Sequence, residues 1–133
     1  MTRTLSIWAI LALTVLAVLL GLYQSGGPLE ARKAKRDSVR ESDLRSLTTL
    51  VECQAREGGK RLPEALETTS NCDVRLRLED PFTNEPYVYT RQGDGLYRLC
   101  AKFETKADHW DGTVPFGMRD PETGCLTYEY TPD

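Results

Sequence analysis

The sequence predicts an α+β protein with a transmembrane helix, a long second helix and a small antiparallel sheet held by two disulfides. Three observations predict it. Leu5 to Tyr23 is an apolar run without a charged residue, residues 29–57 contain no Gly or Pro, and apolar and polar residues alternate from residue 74 onward. The expected division is a tail at 1–4, a membrane helix at 5–23, a juxtamembrane linker and polar helix at 24–43, and an α+β extracytoplasmic domain at 44–133.

The apolar run comes first. A helix of that length rises roughly 28 Å, close to the hydrocarbon thickness of a bilayer. The run is longer than the apolar core of a signal peptide and lacks a small-x-small exit, so it reads as an uncleaved anchor. Two signals oppose each other on orientation. Arg32, Lys33, Lys35 and Arg36 follow the run, against Arg3 alone before it; the positive-inside rule would keep the rest of the chain in the cytoplasm. Cys53, Cys72, Cys100 and Cys125 all lie beyond the run without a CxxC spacing. Four isolated cysteines leave open a zinc site, free thiols or two disulfides. The disulfide reading places the domain in an oxidising compartment, and we adopt it: amino terminus inside, domain outside.

Charge excludes one class of partner. Residues 28–57 hold seven basic and six acidic side chains, and 58–133 hold nine basic and fourteen acidic. An acidic domain with no basic, aromatic-interleaved patch is unsuited to nucleic acid. The basic cluster at 32–36 suits anionic lipid headgroups, or is the solvated first turns of a helix.

Pro28 suits the first turn of the second helix. Its first half, EARKAKRDSVRESD, is polar nearly all round and is expected to extend as a stalk. Leu44, Leu47, Leu50 and Val51 recur at helical spacing and should bury, and Gly58-Gly59 ends the helix. Leu62 to Leu66 is expected to lie over the core. Val74, Leu76 and Leu78 alternate with Arg75, Arg77 and Glu79 as a first strand. Tyr87 to Thr90 and Leu96 to Phe103 form a hairpin about Gln92-Gly93-Asp94-Gly95. A loop from Glu104 to Gly124 leads to a last strand, Cys125 to Tyr130. If Tyr97, Leu99, Leu126 and Tyr128 face the core, Cys100 and Cys125 both point away from it and can be bridged. Cys53 and Cys72 are then the second pair.

Asp80-Pro81-Phe82-Thr83-Asn84-Glu85-Pro86-Tyr87-Val88-Tyr89 resembles the DP-x-G/N-x-P-Y-x-Y segment of type II secretion major pseudopilins. The helix from Arg36-Asp37 to Leu50, and Leu62-Pro63-Glu64-Ala65-Leu66 after it, resemble the same group. The loop between Cys100 and Cys125 is similar to the disulfide-bounded region of type IV pilins. The resemblance implies a pilin-like domain, with Asp80, Pro81, Pro86, Tyr87 and Tyr89 as its motif residues. It stops at the N-terminus, where this chain has no Gly before the apolar run and no acidic residue within it.

The expected function is therefore protein–protein contact by a domain anchored in the inner membrane and exposed to the periplasm, accessory to a secretion or pilus-type assembly, with self-association among the contacts. The alternative is a tethered ligand- or calcium-binding module. Asp94, Asp108, Asp111, Asp120 and Glu122 gather oxygen ligands into loops for the cation, and the tyrosines at 87, 89, 97, 128 and 130 offer a groove or ordinary cross-strand packing. His109-Trp110-Asp111 is a further candidate contact patch, or a Trp packed on the sheet edge. His109, the single histidine, has no nucleophile in any recognisable spacing, so no enzyme activity and no cofactor are expected.

Overall fold

The computed structural model describes residues 2–24, 27–72, 76–93, 95–107 and 114–132, and the chain divides into two compact units, Met1–Ala34 and Lys35–Asp133. The elements are α1 (Thr2–Gln24), α2 (Gly27–Glu57), β1 (Val88–Arg91), β2 (Leu96–Cys100) and β3 (Cys125–Glu129).

In the first unit, α1 is long and apolar enough to cross a membrane. Its apolar side chains enter no protein core: Leu5, Trp8 and Leu13 are each more than 70% exposed. A helix apolar on every side is suited to a hydrocarbon environment. The Thr14 hydroxyl donates to the Ile10 carbonyl at 2.8 Å, so it is satisfied within the helix.

In the second unit, Leu44, Leu47, Leu50, Val51 and Ala55 of α2 are fully buried. The first four cluster with Tyr97, Leu99 and Leu126 from the sheet and with Leu62 and Cys72. Burying each such side chain contributes about 1.5–3 kcal/mol of transfer free energy. The helix stops where expected: the Gly58 and Lys60 amides turn back to the Gln54 and Ala55 carbonyls at 2.8 Å, closing a C-terminal cap through Gly59 at φ 72°.

The sheet is antiparallel in the order β1-β2-β3. Tyr97 opposes Tyr128, Leu99 opposes Leu126, and Cys100 opposes Cys125. The Ala101 amide donates to the Gly124 carbonyl, so Cys100 and Cys125 occupy the adjacent, non-hydrogen-bonded position, where opposing backbones come closest. Their Cα atoms are 4.0 Å apart and bridged. Cys53 and Cys72 form the second disulfide, with Cα atoms 5.9 Å apart. The first pair is the one that strand parity predicts, and the second is the pair it leaves over.

Three expectations need correction. The polar half of α2 is not a free stalk, because Asp37, Arg40 and Asp43 are buried and the second unit begins at Lys35. No strand runs through residues 76–78, and residues 73–75 lie outside the described residues. A single bridge joins Glu79 to Pro86, and the Tyr87 amide reaches the Leu78 carbonyl at 2.9 Å. The Asp80 amide reaches the Glu85 carbonyl at 2.9 Å on the other side of the bridge, and the turn at residues 80–85 ends the pairing there. β2 ends at Cys100 instead of Phe103, although Phe103 still packs against the core.

Candidate functional site

Most converging polar groups of the second unit surround Arg40. Positions 37, 40, 44, 47 and 51 fall on one stripe of α2, so the face that buries Leu44 and Leu47 also carries Asp37 and Arg40 inward. Arg40 is 1% exposed. Its Nε donates to Asp80 at 2.6 Å, and Nη1 donates to Asp37 at 2.7 Å and to Glu104 at 2.9 Å. Asp37 also accepts the Glu104 amide at 2.9 Å and the Thr105 amide and hydroxyl at 2.7 and 2.6 Å. Arg36 forks onto Glu104, and Arg119 lies 3.6 Å from Asp37. Three guanidinium groups thus meet three carboxylates.

Two phenyl rings cover the cations: the Arg40 guanidinium lies 5.5 Å from the Phe82 ring and that of Arg119 4.3 Å from Phe103. Burial by itself would raise the Asp37 pKa, but the bonds from Thr105, Glu104 and Arg40 outweigh it and hold the group below the ordinary range. Asp80 behaves alike, with the Phe82 amide and Arg40 overcoming burial. Arg36 and then Arg40 hold Glu104 at about 2. The network has no group poised to exchange a proton near neutrality, and its chemistry is attachment: it ties α2 to the loop at 80–86 and to the segment after β2.

The motif residues take their places around this network. The Asp80 carboxylate accepts the Phe82 amide at 2.9 Å, and its carbonyl accepts the Asn84 amide at 2.8 Å. Asn84 holds φ 56°, a left-handed conformation that Gly or Asn adopts with least strain. Pro81 opens this turn, and Pro86 closes it with the bridge to Glu79. Tyr87 donates to Asp43 at 3.0 Å, which also meets Arg77 at 3.1 Å, and Tyr89 donates to the Pro63 carbonyl at 3.0 Å. Tyr97 is stacked on Tyr128 with centroids 5.6 Å apart and touches Tyr89 at 6.0 Å. This tyrosine face packs against the core.

The sequence marks Asp80, Tyr87 and Tyr89 but misses Asp37, Arg40, Asp43, Glu104 and Arg119. A signal was present: the apolar stripe of α2 continues backward at helical spacing to Arg40 and Asp37.

Of the calcium candidates, Asp94, Asp108 and Asp111 lie outside the described residues, as do His109 and Trp110. Asp120 uses both oxygens within its own turn, accepting the Glu122 amide at 2.9 Å and the Thr123 hydroxyl at 2.7 Å. Glu122 is exposed. No group of three potential ligands forms among the described residues. With both Asp120 oxygens committed to their own turn, millimolar calcium is expected to leave the melting temperature of the full chain unchanged. A calcium-dependent rise would instead mean that the ion binds the folded state.

A second feature faces outward. In the turn Val114-Pro115-Phe116-Gly117-Met118, the three large apolar side chains are 44, 62 and 46% exposed. The turn is braced: the Gly117 amide donates to Thr127 at 2.9 Å and the Met118 amide to Pro115 at 3.1 Å. Gly117 sits at φ 75°, where an added Cβ would come within 3.3 Å of the Tyr128 ring. A tight turn against that ring presents Phe116 and Met118 to solvent.

The chain matches no protein-family model, no curated protein and no solved structure.

Proposed function

We propose that this protein is a single-pass inner-membrane protein whose periplasmic, pseudopilin-like domain works through protein–protein contacts, as an accessory to a secretion or pilus-type assembly. The observation that carries the contact reading is the braced apolar turn at Val114–Met118. Large side chains held out of the core by two backbone bonds have the form of an interface anchor, in which little conformational freedom is left to lose on docking.

Further support comes from the internal use of the polar groups. Asp37, Arg40, Asp80 and Glu104 are engaged with one another, which suits a scaffold more than a reaction centre. The order of long helix, irregular segment and antiparallel sheet, with the Asp80–Tyr89 loop fastened to the helix, supports the pseudopilin-like reading. The apolar α1 supports anchoring, and two disulfides support a domain in an oxidising compartment.

Photo-crosslinking in native membranes tests this. A photoreactive phenylalanine analogue at position 116 is expected to give a discrete adduct with a partner protein or a second copy. The same analogue at exposed Thr90 serves as the comparison. A monomer alone from position 116 would count against the docking role.

A further inference from the structure

The cations of α2 divide into two groups. From Arg36 onward each is engaged within the chain. Arg36 forks onto Glu104, Arg40 lies in the buried network, and Arg45 and Arg56 approach Glu41 and Glu52 one turn away. Arg32 and Lys35 are exposed instead, and neither forms an ion pair among the described residues. Glu30 is the one acidic side chain in residues 27–36, and it is paired with Lys33 at 2.8 Å. Positive charge is thus left over on this stretch, in a chain whose net charge is -3.

An apolar side chain stands out in the same turns. Leu29 is 68% exposed, whereas Leu44, Leu47, Leu50 and Val51 of the same helix are fully buried. A lone exposed leucine is ordinary on a protein surface, but this one lies three residues before Arg32 and five after the end of α1. Arg and Lys beside a membrane lay their aliphatic stems along apolar surface and keep the charged end among water and phosphates. Arg32 is eight residues past Gln24 and Lys35 eleven. Both fall inside the roughly 15–20 residues over which charges flanking a span are felt.

We propose that residues 29–35 of α2 bind an anionic lipid surface, with Arg32 and Lys35 meeting headgroup phosphates and Leu29 entering the boundary between headgroups and acyl chains. The inference rests on α1 as a membrane anchor and is independent of the docking turn at Phe116. It holds for either orientation of the domain, since headgroups border both ends of a span.

The test compares spin-labelled phosphatidylglycerol with spin-labelled phosphatidylcholine in vesicles containing the full-length protein. The motionally restricted fraction, read by electron paramagnetic resonance, gives the relative association constant. A cation near an anionic surface is worth up to about fivefold, so phosphatidylglycerol should be preferred several-fold at physiological salt. The preference should shrink at roughly 0.5 M salt. R32Q/K35Q should remove most of it without lowering the melting temperature, because neither side chain holds an internal ion pair. R61Q, which deletes an equally exposed cation far along the chain, should leave it unchanged. An excess of soluble glycerol 3-phosphate should not compete; full competition would mean a site for free phosphate and overturn the lipid reading. Equal affinity for the two lipids, a preference unaltered in R32Q/K35Q, or an equal loss in R61Q would overturn the proposal and leave the docking turn untouched. A protein washed from the vesicles by alkaline carbonate would lack the anchor, and the proposal would fall with it.

Discussion

Replacing Arg40 with alanine is expected to cost about 3–5 kcal/mol of folding stability, because Asp37 and Asp80 would remain buried as carboxylates without their shared partner. Arg40 is 1% exposed, so water cannot stand in for the guanidinium without opening the interface between α2 and the 80–86 loop. At roughly 4–8 °C per kcal/mol for a domain of this size, the melting temperature should fall by more than 10 °C. D80N should cost less, since an amide can still accept the Phe82 N–H. Thermal melts of the full-length variants followed by near-UV circular dichroism measure both. An R40A melting temperature within a few degrees of wild type would mean the network is dispensable.

The same network sets the acid limit of the fold. Asp37, Asp80 and Glu104 all have pKa values depressed in the folded state, Glu104 to about 2. A depressed carboxylate contributes stability that is fully present above its unfolded pKa and is lost as pH falls through the folded one. Stability should therefore be flat above about pH 5 and fall between roughly pH 4 and 2. In R40A the fall should be shallower, because Asp37 and Asp80 would titrate nearer their unfolded values.

Removing the disulfides is the second large effect. Cys53–Cys72 and Cys100–Cys125 close sequence separations of 19 and 25 residues, each worth roughly 3 kcal/mol in the chain-entropy model. Domains of this kind have about 5–15 kcal/mol in total. Either serine pair, C53S/C72S or C100S/C125S, should fold with a lowered melting temperature. The quadruple variant should be largely unfolded at growth temperature, as judged by protease sensitivity. Mass measurement of membrane-extracted protein with thiols blocked on lysis reports the disulfides in the cell. Four blocked thiols would put the domain in the cytoplasm and remove the periplasmic assignment.

Local pattern made some parts of this chain legible. The apolar run of α1 needs no partner to declare itself, and Leu44, Leu47, Leu50 and Val51 announce the buried face of α2 by spacing alone. Strand parity at Tyr97, Leu99, Leu126 and Tyr128 pointed to Cys100 and Cys125 as one pair, because side chains on a strand alternate strictly between faces, and left Cys53 and Cys72 as the other. The same rule failed at residues 76–78, which form no strand. Alternation states which faces could be buried but not whether a neighbouring segment pairs over enough residues, and here the pairing is a single bridge.

The Arg40 network was the larger omission. EARKAKRDSVRESD reads as a solvated helix face, since Asp and Arg are rarely buried unless paired, and the partners stand far along the chain at Asp80, Glu104 and Arg119. Sequence by itself determined the membrane-length helix, the apolar core stripe and the hairpin, all properties of short-range periodicity. Only the tertiary structure decided that Asp37 and Arg40 lie inside and that Val114, Phe116 and Met118 stand outside. Each depends on which distant segments come together, and periodicity carries no information about that.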